Sequence, residues 1–198
     1  MTDSPTLRYY EANADTFFDQ TVDVDMSPLY ARFLGHVPLG AHIVDAGCGS
    51  GRDAKAFMAR GYQVTAFDAS AALAERASAL LGIPVPCRSF ADITEVDVYD
   101  GVWACASLLH VPQHELLGTL QALSAALRRG GTLYASFKEG TAERSDLTGR
   151  HFTDMTAERL HALFAGVPQL ALVERWSTSD RRGDRPEQIW WNVLARKL

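Results

Sequence analysis

Val44-Asp45-Ala46-Gly47-Cys48-Gly49-Ser50-Gly51-Arg52-Asp53 is the stretch from which the fold of this chain can be read. The apolar run His42-Ile43-Val44 leads into it, and a helical pattern from Ala54 to Arg60, closed by Gly61, leads out. Strand, glycine turn and helix in that order open a nucleotide-binding α/β unit. Glycine lets the backbone turn tightly and lie close to a ligand. Gly47, Gly49 and Gly51 read G-x-G-x-G. A dinucleotide fingerprint reads G-x-G-x-x-G and would have its third glycine where Arg52 stands. No Gly-Lys-Ser/Thr follows, which excludes a Walker phosphate loop.

The chain around this stretch suits a globular α/β protein. Its 198 residues can bury a sizeable core, and 47% hydrophobic with 22% charged residues is ordinary for such a domain. No apolar run approaches the roughly 20 residues of a membrane span. The start, Met1-Thr2-Asp3-Ser4-Pro5, is polar and acidic rather than basic-then-apolar, so the expected location is cytoplasmic, with no membrane partner. Cys48, Cys87 and Cys105 are odd in number and widely spaced, which suggests neither a disulfide framework nor a zinc site. A net charge of −5 leans against a nucleic-acid partner. No motif specifies an oligomeric state.

Before the glycine stretch, Leu7, Tyr10, Ala14, Phe17 and Phe18 recur at helical spacing and predict one amphipathic helix. Residues 21–27 read as a loop, and Pro28 starts a helix carrying Leu29, Phe33 and Leu34. After it, strands and helices alternate. Strands are expected at 42–46, 63–67, 85–88, 100–106 and 132–137. Ser70 can cap a helix whose buried stripe is Leu73, Ala77, Leu80 and Leu81. Pro112 opens another, with Leu116, Leu120, Leu123 and Leu127 on one face and Arg128 and Arg129 complementing the dipole at its end. Residues 138–155 read as a polar loop, and Thr156 can cap a helix bearing Leu160, Leu163 and Phe164. Strands at 170–176 and 189–195, joined by the charged turn 177–186, should be antiparallel partners at one edge. The expected fold is Rossmann-like α/β: a doubly wound, mostly parallel seven-stranded sheet with an antiparallel edge hairpin. One domain is expected, with 1–40 as a helical arm or lid and 41–198 as the core.

In an open α/β sheet, ligands bind beyond the carboxyl ends of the strands. Asp68, followed by Ala69, ends the second strand about 20 residues after the glycine turn, where an acid receives ribose hydroxyls in nucleotide-binding units. NAD uses the same position, so Asp68 does not by itself choose the nucleotide.

The D-x-G-x-G-x-G pattern of Asp45 to Gly51 resembles motif I of the class I S-adenosylmethionine-dependent methyltransferases. Phe90-Ala91-Asp92-Ile93 and the run from Tyr99 to His110 resemble later motifs of the same superfamily, so the likeness covers roughly residues 42–137. Segments 134–138, 149–153 and 190–192 look like a bacterial subgroup of small methyltransferases, and the chain is more loosely similar to tellurite-resistance-type methyltransferases. The resemblance implies that Asp45 and the backbone of Gly47, Cys48 and Gly49 hold the ammonium of S-adenosylmethionine, with Arg52 on its carboxylate. It places Asp68 on the ribose, Asp92 and Ile93 at the adenine, and Cys105 beside the methyl-bearing sulfonium. His110, just beyond its strand, is either a general base or an orienting residue.

Methyl transfer would run by in-line displacement onto an O, N, S or metalloid lone pair of a small molecule, releasing S-adenosylhomocysteine. Such chemistry needs alignment and exclusion of water more than a nucleophile or a metal. No metal is expected: among the histidines only His110 and His114 are four apart, and Pro112 stands between them. Tyr10 in the arm is read as stacking near the cofactor, and Arg144 or Arg150 as meeting an anionic substrate, although core packing and a solvated loop explain the same residues. A non-catalytic binding module and, less favoured, an NAD-type oxidoreductase remain as alternatives.

Overall fold

A computed structural model of the protein describes residues 4–182 and 187–198. Three helices, α1 (Pro5–Ala12), α2 (Ala14–Thr21) and α3 (Ser27–Leu34), precede β1 (His42–Ala46). Then follow α4 (Arg52–Met58), β2 (Gln63–Phe67), α5 (Ala71–Leu81), β3 (Tyr99–Ala104), α6 (Gln113–Ala126) and β4 (Leu127–Lys138). A short hairpin, β5 (Glu143–Ser145) and β6 (His151–Thr153), leads to α7 (Ala157–Ala165), β7 (Leu170–Ser179) and β8 (Ile189–Lys197). The main sheet has six strands in the order β2-β1-β3-β4-β8-β7, parallel from β2 to β4 and antiparallel across β8 and β7.

Both faces of the sheet are covered, and the period of two along each strand decides which residue meets which layer. Val44, Val102, Leu133 and Ala135 point toward α6 and α7, where Leu116, Leu120 and Phe164 are buried. Ile43, Trp103 and Tyr134 point the other way, onto Phe33 of α3 and Phe57 of α4. Ser70 and Thr156 cap α5 and α7 as their positions predict, accepting from the N–H groups of Leu73 and Arg159. No helix among the described residues is long and apolar enough to cross a membrane.

Four local expectations change. The strand expected at 85–88 shrinks to one bridge, Asp68 with Cys87, so six strands replace seven. Pro84 and Pro86 flank Val85, and each lacks the N–H that a ladder needs. The first amphipathic segment is two helices, because the Asn13 side chain donates to the Tyr9 carbonyl (2.8 Å) and its backbone leaves the helical region. Helix α6 stops at Ala126, and Leu127 already pairs with Tyr99. Its end is met by the N–H groups of Asp97 and Val98 and by Lys197, whose Nζ donates to the Leu127 carbonyl at 2.6 Å. Arg128 turns instead to Asp100 (2.9 Å). Finally, residues 138–155 contain the β5–β6 hairpin, whose turn is organised by Asp146 Oδ1 accepting from Thr148 N and Arg150 N. Three-residue strands are too short to announce themselves by alternation. Of the charged turn expected at 177–186, residues 177–179 belong to β7, and 183–186 lie outside the described residues.

Candidate functional site

The carboxyl ends of β1, β2, β3 and β4 open onto a cleft that the glycine turn divides in two. On one side lie Asp68, Ala69, Leu73, Ser89, Phe90 and Ala91, around a cavity of about 450 Å3. That is within the roughly 300–1,000 Å3 of small-molecule sites. On the other lie Arg52, Cys105, Ser136, Lys138, Arg150, Phe152, Trp190 and Asn192. Tyr10, Phe17, Gly47, Gly49 and His110 border both sides.

The dividing turn depends on two glycines. Gly47 has φ +76°, and a Cβ there would sit 2.6 Å from Ser107 Cβ; Gly49 has φ +55° and lies under the Phe17 ring. The N–H groups of the turn are used inside the protein. Gly47 N and Cys48 N both donate to the Phe67 carbonyl (3.0 Å each), and Gly51 N donates to the Cys48 carbonyl (2.9 Å). Gly49 N donates to Asp68 Oδ2 (2.8 Å), while Ser70 N donates to Asp68 Oδ1 (2.9 Å). A phosphate-binding turn aims such groups at its ligand. This one spends them on its own carbonyls and on one carboxylate. Two backbone donors thus fix Asp68 in the cleft wall, and burial pushes its pKa up.

The implied ligands of the amino-acid tail separate. Asp45 does not line the cleft; it is buried beneath the turn, where Oδ2 accepts from Ala54 N (3.1 Å). Burial and the charge of Asp53 push its pKa well up. Arg52 does line the basic side, and its Nε lies 2.6 Å from Asp53 Oδ1. Asp53 is a residue the motif did not single out. It also accepts from Tyr30 Oη (2.5 Å) and Trp103 Nε1 (2.7 Å). Burial opposes its charge, but Arg52 and these donors hold its pKa below the usual carboxylate value. Cys48 and Cys105 both line the cleft; burial raises the Cys48 thiol well up and Cys105 to about 12, so neither is a ready thiolate.

Asp92 and Ile93 are not in the cleft wall. The Asp92 carboxylate folds back onto its own turn, accepting from Ser89 N (2.7 Å) and Ser89 Oγ (2.8 Å), and Ile93 packs against the α6 side of the core. Their neighbours Phe90 and Ala91 face the cavity instead.

The arm closes the cleft from above. Glu11 accepts from the N–H groups of Ala71 and Ala72 at the start of α5, Asp15 pairs with Arg76 (2.5 Å), and Thr6 Oγ1 accepts from His151 N (2.7 Å). Tyr10 is thereby brought to His110, with Oη 2.9 Å from Nε2. On the other side of the ring, His110 Nδ1 lies 2.7 Å from the His151 carbonyl oxygen. A carbonyl only accepts, so neutral His110 carries its proton on Nδ1 and Nε2 accepts from the Tyr10 hydroxyl. Burial lowers His110 to about 4 and raises Tyr10 to about 12.

Of the two arginines expected at the substrate, Arg150 lines the cleft, paired with Asp146 (2.8 Å) and lying over the Tyr9 ring at 4.4 Å. Arg144 does not; it is bound to Asp154 through Nε (2.5 Å) and Nη2 (3.2 Å). The sequence placed Lys138 at the start of a polar loop, yet it ends β4 and stands in the wall with Ser136, Asn192 and Trp190. The signal was there. Tyr134, Ser136 and Lys138 are two apart and share one sheet face.

Residues 43–131 match the family described as a methyltransferase domain. No curated protein sequence matches the chain. Among solved structures, the chain is similar to the Burkholderia thailandensis 1,6-didemethyltoxoflavin-N1-methyltransferase, which holds 1,6-didemethyltoxoflavin and S-adenosylhomocysteine. The two have a TM-score of 0.78 and 22% identity over 96% of this chain and 84% of that one. It is similar as well to the magnesium protoporphyrin IX methyltransferase of Synechocystis PCC 6803 with bound S-adenosylmethionine, at a TM-score of 0.72 and 16% identity over 99% and 98% of the two chains. The cyclase SpnF aligns with a TM-score of 0.75 and 15% identity over 98% and 97%. These likenesses establish the class I methyltransferase fold for the chain.

Proposed function

We propose that the protein transfers the methyl group of S-adenosylmethionine to a small-molecule acceptor. The observation that carries this reading is the division of the cleft by a turn whose N–H groups are already donated. Gly47, Cys48, Gly49 and Gly51 leave no cradle for a pyrophosphate, yet Asp68 stands beside the turn with its carboxylate fixed by two backbone donors. That pairing suits a nucleoside without phosphates and disfavours the dinucleotide reading.

The residues present fit such a ligand. Asp68 and Ala69 would hold the ribose, Phe90 and Ala91 would face the adenine, and the turn with Arg52 would meet the amino-acid tail. Asp45 and Asp92 act at one remove, the first fixing the start of α4 and the second closing the turn that presents Phe90. Bound there, S-adenosylmethionine supplies an electrophilic methyl group to an acceptor lone pair. The chain's own contribution is alignment and the exclusion of water by Tyr10, Phe17 and the arm.

His110 serves this by orienting Tyr10. A histidine held near pKa 4, with its lone pair already on a hydroxyl, is too weak a base to strip an acceptor before transfer. The acceptor is therefore one that attacks as it stands, a neutral nitrogen or an already ionised oxygen or sulfur. Calorimetry with S-adenosylmethionine, S-adenosylhomocysteine and NAD tests the cofactor. Binding of NAD alone overturns the reading. A panel of ring nitrogens, thiols, phenols and metalloid oxyanions, followed by S-adenosylhomocysteine release, tests the reaction; a protein that binds the cofactor but never turns over is a binding module.

A further inference from the structure

The basic side of the cleft carries an unbalanced charge. Arg52, Arg150 and Arg182 each have an acid partner, Asp53, Asp146 and Asp180 in turn. Behind them Arg144 is held by Asp154. Lys138 has none: among the described residues, no ion pair joins its ammonium to a carboxylate. Its Nζ lies instead 3.8 Å from the centre of the Phe152 ring and 5.9 Å from that of Trp190, its cross-strand partner. Burial and the charges of Arg144, Arg150 and Arg182 lower its pKa to about 8, so most of the lysine is still charged near neutral pH.

An ammonium kept partly buried among cations and rings is costly unless something neutralises it. The Phe152 ring offsets part of that cost, but among the described residues no carboxylate pairs with the ammonium, and the wall is open at this point to whatever enters beside the glycine turn. The Phe152 ring is buried under Lys138, Arg144 and Arg150, but the half-buried ring of Trp190 lines the same part of the wall and favours a flat, apolar body. Resting on the methyl-transfer reading of the cleft, we propose that Lys138 receives the carboxylate of the acceptor, and that the acceptor is a small aromatic acid whose ring lies against Trp190. The arginines then act as a paired, fixed frame, and the lysine is the group that selects for charge.

Benzoate and its neutral counterpart benzamide are suitable probes. Calorimetry with the S-adenosylhomocysteine complex should show benzoate bound at least about tenfold more tightly than benzamide, the size of one hydrogen bond to a charged group. Lys138→Met should abolish that preference, and Lys138→Arg should keep part of it, with S-adenosylhomocysteine affinity the same in all three proteins. Equal binding of the two probes to the wild type, or a preference that survives Lys138→Met, overturns the assignment, as does a wild type that takes up no benzoate. Should Lys138→Met not fold, the comparison of probes on the wild type and on Lys138→Arg decides. Failure to bind S-adenosylhomocysteine counts against the methyl-transfer reading alone; the two probes are then compared on the protein without it, and the same outcomes apply.

Discussion

The two halves of the cleft are built by different means. The half that contains Asp68 is made of backbone: left-handed glycines, N–H groups donated to carbonyls, and a carboxylate fixed by Gly49 and Ser70. The half that contains Lys138 is made of side chains from β4, β8, the β5–β6 hairpin and the arm, brought together from distant parts of the sequence, as Tyr10 and His110 are from 100 residues apart. A backbone site tolerates little change in its own residues but serves any side chains placed around it. A side-chain site can be re-specified one residue at a time. The first half is therefore expected to be where substitutions abolish function, and the second where they alter selectivity.

Gly47→Ala should test the contrast most severely. A side chain at φ +76° is strained, and its Cβ would overlap Ser107. A loss of about 3 kcal/mol in denaturant unfolding is expected, together with loss of S-adenosylmethionine binding. A stable variant with normal affinity would show that the turn adapts. Asp68→Ala should weaken cofactor binding by about 1.5–3 kcal/mol, as measured by calorimetry, because it removes the charged acceptor of the ribose hydroxyls.

The arm responds to pH through His110. Burial holds its folded pKa near 4, against an ordinary value of 6.5. The unfolded chain therefore takes up a proton first. The stability that neutral His110 provides is complete above its unfolded pKa and is lost as pH falls through the folded one. Between pH 6.5 and 4 the wild type should lose more stability than His110→Asn; parallel curves would mean that the imidazole is not held neutral. Tyr10→Phe removes the donor to Nε2 and should cost about 1 kcal/mol of stability while lowering turnover more than cofactor affinity. The smallest effect is expected from Asp92→Ala, with a change in cofactor affinity below about threefold, since its carboxylate caps its own turn. A tenfold loss would return Asp92 to the adenine.

Much of the fold was legible because it rests on local rules. The apolar run before the glycine turn placed β1, the run ending at Asp68 placed β2, Ser70 and Thr156 marked helix starts, and the absence of a helix signal between β7 and β8 foretold their antiparallel pairing. What was missed depended on partners remote in sequence. Arg128 was read as a helix-end cation, yet Lys197 from the far end of the chain takes that place. Asp92 was assigned from its motif, but whether a carboxylate faces a cavity or its own turn depends on the path of the backbone, which three residues of sequence do not set. Lys138 was counted with a loop because the charged stretch after it hid the end of β4.

By itself, then, the sequence determined a glycine turn at the end of β1, an acid at the end of β2, and the alternation that makes the sheet parallel; each is set by the sterics and periodicity of neighbouring residues. Only the tertiary structure decided which charges are paired. Arg52, Arg144 and Arg150 look alike in sequence to Lys138, but the fold supplies acids to the arginines and rings to the lysine. Electrostatic balance is a property of what surrounds a group in space, and the residues that surround Lys138 come from strands that meet only when the sheet closes.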